Sequence, residues 1–327
     1  MSTPILVTGA AGFAGSHLLE RLALGGNAVV AWRRPHGAET HGSHGSSPEH
    51  RTARDGGGVR WEAVDLLDRV AVRDAIARLR PHVIYHCAGA AHVGESWNRT
   101  VPTFAINVRG THHLLDSLRE SRIECRVLIP SSAMIYRPAD EALTEDHPLV
   151  PESPYGVSKL AQELLARRAM TRGIEVAVAR AFNHVGPRQD PSFVASSLAR
   201  QIADIEEGRR PPQLAVGNLD ARRDLTDVRD TVRAYAMLAE RGRAGRPYNV
   251  CSGRAITIRE LLDRLIARAR VSIAVRVDPE RYRPNDVPLI VGDPTRIRTE
   301  VGWEPQIPLE KTLDDLLEYW RSEPARN

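Results

Sequence analysis

Nine residues near the N-terminus, Val7-Thr8-Gly9-Ala10-Ala11-Gly12-Phe13-Ala14-Gly15, constrain this chain more than any other segment. They follow the short apolar run Ile5-Leu6-Val7 and lead into a helical pattern that starts near Phe13. A strand that passes into a helix through three spaced glycines reads as the opening of a unit that faces a dinucleotide pyrophosphate. Gly9 allows the tight turn, Gly12 a close backbone approach to phosphate, and Gly15 close packing of helix on strand. The helix start turns its free N–H groups and positive dipole end toward the phosphates, so Phe13 and Ala14 join Gly9 and Gly12 as cofactor candidates. A lone G-x-x-G-x-x-G is weak evidence. Ser131-Ser132 and the pair Tyr155 and Lys159 downstream make the combination specific.

The rest of the first half fits that opening. Strand-type runs fall at Ile5–Thr8, Ala28–Ala31, Val59–Ala63, Val83–Cys87, Arg126–Pro130 and Glu175–Ala179. Helical patterns at Ala14–Leu24, Arg69–Leu79, Thr103–Ser121 and Tyr155–Thr171 separate them. The alternation implies an α/β fold, a Rossmann-type doubly wound parallel sheet. From about Phe182 strands become sparse, and Arg, Pro and Gly clusters separate helices at Phe193–Glu207, Val228–Glu240, Ile258–Ala269 and Leu309–Tyr319. A smaller C-terminal α/β substrate-binding domain is expected there, dividing the chain into 1–181 and 182–327. Its segment Val228–Cys251 is expected to return and extend the first sheet. Residues 35–58 form a Gly-, Ser- and His-rich insertion with nothing apolar to anchor it, which reads as a mobile loop. Its His36, His41, His44 and His50 lack a carboxylate partner, so no metal is expected.

Composition narrows the class. With 327 residues, 42% of them apolar, the chain can bury a full α/β core. No apolar run is long enough for a membrane span, and Met1-Ser-Thr-Pro leads directly into the first strand, so neither membrane insertion nor a signal peptide is expected. Cys87, Cys125 and Cys251 are scattered without a C-x-x-C pair, as suits a reducing cytoplasm. The net charge of +4 and a pI near 9.2 come chiefly from arginine and read mainly as a solvated surface. No helix-turn-helix or zinc-finger pattern points to nucleic acid.

Tyr155 and Lys159 lie four apart at the head of a helix and therefore share a face. Free tyrosine, with a pKa near 10, exchanges protons poorly at neutrality, and a nearby ammonium would lower that value and make the phenol a usable acid or base. Lys159 would also hold ribose hydroxyls. A Tyr-x-x-x-Lys spacing is common on ordinary helices; the glycine loop and the serines are what select catalysis here. Ser131 and Ser132 end an apolar strand, where an open α/β sheet presents its ligand, and Ser132 is the candidate to bond the substrate oxygen and Tyr155 together. Asp65-Leu66 is the kind of pair that receives an adenine ring. Ala88-Gly89 allows close backbone approach to the cofactor, and Asn107 would hydrogen-bond main chain beside the nicotinamide. The second strand ends in Ala31-Trp32-Arg33-Arg34 with no acid to bind a ribose 2′-hydroxyl. Guanidinium groups there pair with a 2′-phosphate, which favours NADP(H), with NAD(H) as the alternative.

Four further segments carry a family resemblance: 86–96, 180–187, 216–230 and Arg283-Pro-Asn-Asp286. With these the chain resembles, over nearly its whole length, the extended short-chain dehydrogenases that act on nucleotide sugars, and among them most the GDP-4-dehydro-6-deoxy-D-mannose reductases. The resemblance implies a nucleotide-sugar substrate, GDP-linked by preference, with Asn183 on the diphosphate and Arg223 and Arg283 on phosphate or nucleoside. It also implies a homodimer through a four-helix bundle, built from the helices expected at Thr103–Ser121 and Tyr155–Thr171. The sequence departs from the family pattern at Ala181, where proline is usual, and at Met134–Arg137, which lacks the common Glu and Gly.

Those departures bear on reaction type. Related 4,6-dehydratases carry an acid two positions after the catalytic serine or threonine, and the epimerase-reductases a cysteine; this chain has Met134 there, beside Ala133. Reduction of a 4-keto group needs neither. An NAD-dependent nucleotide-sugar 4-epimerase needs only the Ser, Tyr and Lys set and stays as the second reading, weakened by the missing acid after the second strand. A non-catalytic dinucleotide sensor is the third, and such proteins commonly lose the Tyr or Lys kept here.

Overall fold

A computed structural model describes residues 3–35, 59–278 and 287–323. The His-rich segment beyond Pro35 and the candidate Arg283 lie outside the described residues. The first half builds β1 (Ile5–Thr8), α1 (Phe13–Leu24), β2 (Val29–Arg33), β3 (Val59–Ala63), α2 (Arg69–Leu79) and β4 (Val83–His86). After these come α3 (Val93–Asn98), α4 (Thr100–Phe104), α5 (Thr111–Glu120), β5 (Arg126–Ser132), α6 (Pro154–Met170) and β6 (Glu175–Ala181). Each strand alternates, as a sheet covered on both faces must. Val7, Ala31 and Leu128 face a core shared with Leu18, Leu22, Tyr235 and Leu238, while Leu6, Val30 and Ile129 face Ile76, Leu114 and Leu118.

The remainder supplies β7 (Asn183–Val185), α7 (Val194–Glu206), β8 (Gln213–Val216), β9 (Arg222–Asp227), α8 (Val228–Arg241), β10 (Pro247–Val250) and β11 (Ala255–Thr257). It closes with α9 (Ile258–Ile266), β12 (Ala274–Val277), β13 (Leu289–Ile290), α10 (Thr295–Val301) and α11 (Leu309–Ser322). The central sheet is parallel and seven-stranded, in the order β10-β6-β5-β4-β1-β2-β3. It is the doubly wound α/β sheet expected from the sequence. β10 lies beside β6, and α8 packs on the sheet through Val232, Tyr235 and Leu238. A separate core gathers Leu198 and Ile202 of α7, Leu261 and Leu265 of α9, and Leu313, Leu316 and Leu317 of α11. Among the described residues no helix is long and apolar enough to cross a membrane.

Two local readings are corrected. The helix expected over Thr103–Ser121 is interrupted by a π-helical turn at Ala105–Gly110, between α4 and α5. Strands do not become sparse after Phe182: seven short ones, β7 to β13, follow. They are two to six residues long, too short for most of them to show a readable alternation.

Candidate active site

The strand order reverses between β1 and β4, and in an open α/β sheet the ligand crevice lies at that reversal. The loops leaving these two strands touch. Gly9 has φ +66°, and a Cβ there would sit 2.6 Å from the Ala88 backbone. A Cβ on Gly12 would come within 3.2 Å of the Gly9 carbonyl oxygen, and one on Gly15 would collide with that same oxygen. No side chain caps α1, so the N–H groups of Phe13 and Ala14 stay available in its first turn. These features fit a bound pyrophosphate.

Beside the loop, the Ala10 N–H donates to the Trp32 carbonyl, which sets the end of β2 against the glycine turn. Arg33 and Arg34 are exposed there and make no ion pair among the described residues. After β3, the Asp65 carboxylate accepts from the Leu67 N–H at 2.9 Å in a local turn. Leu66 is buried, and its carbonyl accepts from His113 Nδ1–H at 2.9 Å.

A buried chain of hydrogen bonds carries the crevice floor. Thr111 Oγ1 donates to the Asn107 carbonyl at 2.6 Å and accepts from Gln162 Nε2 at 2.7 Å, so His86 Nε2–H, 2.9 Å away, must also be donating to it. His86 Nδ1 then accepts from Thr8 Oγ1 at 2.9 Å. This neutral tautomer agrees with the pKa of His86, which burial, and secondarily Lys159, push down to about 3. Asn107, inside the π-helical turn, accepts from the Ala90 N–H at 2.8 Å and donates to the Ala90 carbonyl at 3.1 Å and to Ser158 at 2.9 Å. Its Oδ1 would lie 2.7 Å from a Cβ at Gly89. π-Bulges recur at functional sites, and this one lets Asn107 hold the turn after β4 against α6.

Helix α6 delivers the reactive side chains. Ser153 caps it by accepting from the Gly156 N–H at 3.1 Å, Pro154 occupies its first turn, and the Ser96 hydroxyl accepts from the Tyr155 N–H at 3.1 Å. Gly156 is a requirement that sequence reasoning missed. A Cβ there would collide with the Met134 carbonyl oxygen and lie 2.9 Å from Pro151 Cβ. That close approach brings Tyr155 to the end of β5. Ser132 Oγ accepts from the Met134 N–H at 3.2 Å, which leaves its O–H free to donate, and it lies close enough to the Tyr155 phenol to favour the phenolate. Ser131 Oγ is buried without a hydrogen-bond partner among the described residues.

Burial raises the Tyr155 pKa, and the opposing influence comes from Ser132, not from the Lys159 ammonium expected from the helical spacing. Lys159 is itself buried and its pKa falls to about 8, since burial disfavours its charge. Its side chain makes no hydrogen bond among the described residues, as a group that would hold ribose hydroxyls requires. One further signal was available in the sequence. The chain contains only two lysines, Lys159 and Lys311, against 43 arginines.

Asn183 and Arg223 lie on adjacent strands beyond the end of β6. Asn183 is exposed two residues past Ala181, the register partner of Ser132, and Arg223 is two residues before Leu225, the partner of Asn183. Sequence reasoning also missed the contacts that tie this segment to the glycine loop. Phe13 stacks on His184 with ring centroids 5.6 Å apart, so it offers main chain rather than side chain to the crevice. Arg188 bonds Glu20 at 2.9 Å and His17 Nδ1 at 2.7 Å, and His17 donates to the Pro187 carbonyl at 3.0 Å. The structure thus brings Gly9, Gly12, Ala88, Asn107, Ser132, Tyr155 and Lys159 to one sheet edge, with Arg33, Arg34, Asp65 and Leu66 on one side and Asn183 and Arg223 on the other.

A family model described as GDP-mannose 4,6 dehydratase matches residues 6–316. The chain belongs to that family. A GDP-6-deoxy-D-mannose reductase of Pseudomonas aeruginosa is 35% identical over 326 residues, which span 98% of each protein. The structure of RMD from Pseudomonas aeruginosa complexed with NADPH superposes with a TM-score of 0.83 at 33% identity, covering 98% of this chain and 99% of that one. The UDP-glucose 4-epimerase of Thermus thermophilus, solved with NAD, gives a TM-score of 0.82 at 28% identity, covering 98% and 99%. The family assignment agrees with the extended short-chain dehydrogenase resemblance read in the sequence.

Proposed function

We propose that this member of the GDP-mannose 4,6-dehydratase family is an NADP(H)-dependent reductase. It reduces the 4-keto group of a nucleotide-linked 4-keto-6-deoxy sugar, of the type GDP-4-dehydro-6-deoxy-D-mannose to GDP-D-rhamnose. The observation that carries this reading is a complete Ser132, Tyr155 and Lys159 set beside apolar Ala133 and Met134. Dehydration across C5 and C6 needs an acid and a base beyond Tyr155, and neither neighbour can serve. Reduction needs one proton and one hydride. The nicotinamide supplies the hydride when bound. Tyr155, kept protonated by burial, donates the proton to the C4 oxygen, and Ser132 holds that oxygen through its free O–H. Lys159 and Asn107 position the nicotinamide ribose and the adjoining main chain. Gly9, Gly12, Phe13 and Ala14 receive the pyrophosphate, and Asp65, Leu66, Ala88 and Gly89 line the nucleoside ends. Asn183, Arg223 and Arg283 take the sugar diphosphate and its nucleoside. The test is NADPH oxidation with GDP-4-keto-6-deoxy-mannose. Stoichiometric consumption is expected, with GDP-mannose left untouched; conversion of GDP-mannose to the keto sugar without net cofactor use would overturn the reading.

The 4-epimerase reading draws on the NAD-bound epimerase relative, and the end of β2 separates the two. Arg33→Ala/Arg34→Ala should weaken NADPH binding by about tenfold or more and leave NADH binding nearly unchanged, because guanidinium pairs with the 2′-phosphate. Tighter NADH binding by the native protein, or NAD carried through purification, would favour the epimerase.

Two assignments accompany this function. The dinucleotide-binding unit comprises 1–181 with 228–251, and 182–327 otherwise forms the sugar-nucleotide unit, all in the cytoplasm. The protein is a homodimer whose four-helix bundle, two helices from each protomer, buries the exposed Val101 of α4, which leads into α5, and Val157 and Leu164 of α6. Light scattering should give twice the 36.2 kDa chain mass, and the monomer mass would refute this.

A further inference from the structure

Behind Lys159, on the side away from the crevice, Arg180 of β6 and Glu163 of α6 are 1% and 2% exposed. Arg180 Nε and Nη2 donate to the two carboxylate oxygens of Glu163 at 3.0 and 2.9 Å. Its Nη1 donates to the Tyr136 hydroxyl and to the Glu145 carbonyl, both at 2.9 Å. The Tyr136 hydroxyl donates to Asn249 Oδ1 at 2.6 Å, and Asn249 in turn donates to Glu145 Oε1 at 2.8 Å through its N–H. Every arm of the guanidinium is therefore fixed. Arg180 is also the register partner of Ser131, and its neighbour Ala181 that of Ser132. Glu163 lies one helical turn beyond Lys159 and two beyond Tyr155.

We propose that Arg180 and Glu163 are a positioning pair for this reductase. The bidentate grip sets the helix bearing Tyr155 and Lys159 against β6, whose residues 180 and 181 are the register partners of Ser131 and Ser132 on β5, and the Glu163 charge favours the Lys159 ammonium. A buried ion pair often stabilises a fold no better than well-packed apolar residues would, so stability alone gives no reason for one here. Placement does. The pair joins α6, which bears Tyr155, to β6, the strand paired in register with the end of β5 that bears Ser132, so it bears on whether Ser132 and Tyr155 meet on one oxygen. The titratable groups acting on Lys159 are Cys87 and His86 from the end of β4 and Glu163 from its own helix. His86 is neutral and burial pushes the Cys87 thiol up to about 12, so Glu163 is the carboxylate opposing the burial of Lys159. Glu145, on the far side of Arg180, faces Arg296 at 3.5 Å.

The two-lysine composition makes the inference directly measurable. In protein labelled with 13C at lysine Cε and free of cofactor, two resonances arise, and Lys311 is the internal reference. The Lys159 resonance should titrate near pH 8. In Glu163→Gln its midpoint should fall by roughly one unit, the order expected when a carboxylate charge one helical turn away is removed from a buried site. Glu163→Asp should keep most of the wild-type value, and Arg180→Gln should move the midpoint upward, because it removes a cation instead. Should the single variants fail to fold, Glu163→Leu/Arg180→Met replaces the pair by apolar groups and should titrate below wild type. A folded Glu163→Gln or double variant with an unshifted Lys159 midpoint overturns the proposal. The inference rests on the catalytic reading of Tyr155 and Lys159, but the titration needs no substrate. A shifted midpoint in a protein that does not reduce the keto sugar would therefore refute the reductase assignment and leave the pair's role intact.

Discussion

Tyr155→Phe should fold, bind NADPH with nearly native affinity, and turn over at least ~100-fold more slowly, the usual reach of a general acid. The substitution removes one oxygen and leaves the ring in its buried place. The main-chain anchor to Ser96 survives, and so does the Ser153 cap that starts the helix. Lys159, the glycine loop and the Asn107 clamp on Ala90 do not involve the phenol, so the cofactor site persists. Only the proton source is lost. Burial raises the Tyr155 pKa, which is the right direction for reduction, because the resting group must carry a proton to give. Ser132 opposes that shift and steadies the phenolate formed after transfer. Steady-state kinetics with the 4-keto sugar, alongside NADPH fluorescence titration, measures both halves. Near-native turnover would remove Tyr155 from the chemistry, and lost NADPH binding would make its role structural.

The reactive positions were legible because each stands where a local pattern ends: glycines after a strand, serines at a strand's last residues, Tyr and Lys one helical turn apart. The sheet was legible because strands buried on both faces show as continuous apolar runs. What escaped was set by contacts between segments distant in the chain. Nothing around Gly156 reveals that the Met134 carbonyl will lie against it, and nothing in Ile84-Tyr85-His86 reveals that His86 will bridge Thr8 to Thr111. The π-helical turn at Ala105–Gly110 kept its helical periodicity and differs from an α-helix by one inserted residue, which a hydrophobic pattern scarcely registers. The direction of the Tyr155 pKa escaped for a related reason. Helical spacing places Lys159 one turn away, yet the depth of burial around the phenol is a property of the assembled site, and what opposes that burial is Ser132 and not the ammonium. Isolation of Lys159 among 43 arginines was visible from the start as a sign that an ammonium, with its movable pKa, is required at that position.

Gly15→Ala should cost about 100-fold in NADPH affinity, from the addition of a single methyl group. The new Cβ would collide with the Gly9 carbonyl oxygen and lie 2.9 Å from the Gly9 carbonyl carbon and 3.0 Å from Ala10 Cα. All three atoms are backbone, so no side-chain rotation relieves the contact. The glycine turn must move instead, and it is held from two sides. Gly9 has φ +66° and already packs against the Ala88 backbone, while the Ala10 N–H is bonded to the Trp32 carbonyl. Helix α1 is no freer to retreat, since Leu18 and Leu22 are buried under the sheet and Glu20 is tied to Arg188. The loop N–H groups that face the pyrophosphate are therefore displaced, and the hydrogen bonds they donate to it, charge-assisted and among the strongest available, are lost or weakened. The same substitution at Gly12 meets only the Gly9 oxygen at 3.2 Å within the protein, so any loss of affinity there reports the approach of the phosphate itself. Isothermal titration of both variants with NADPH, with circular dichroism to verify folding, measures the contrast. Equal losses at Gly12 and Gly15 would show that phosphate approach, rather than helix–strand packing, governs this loop.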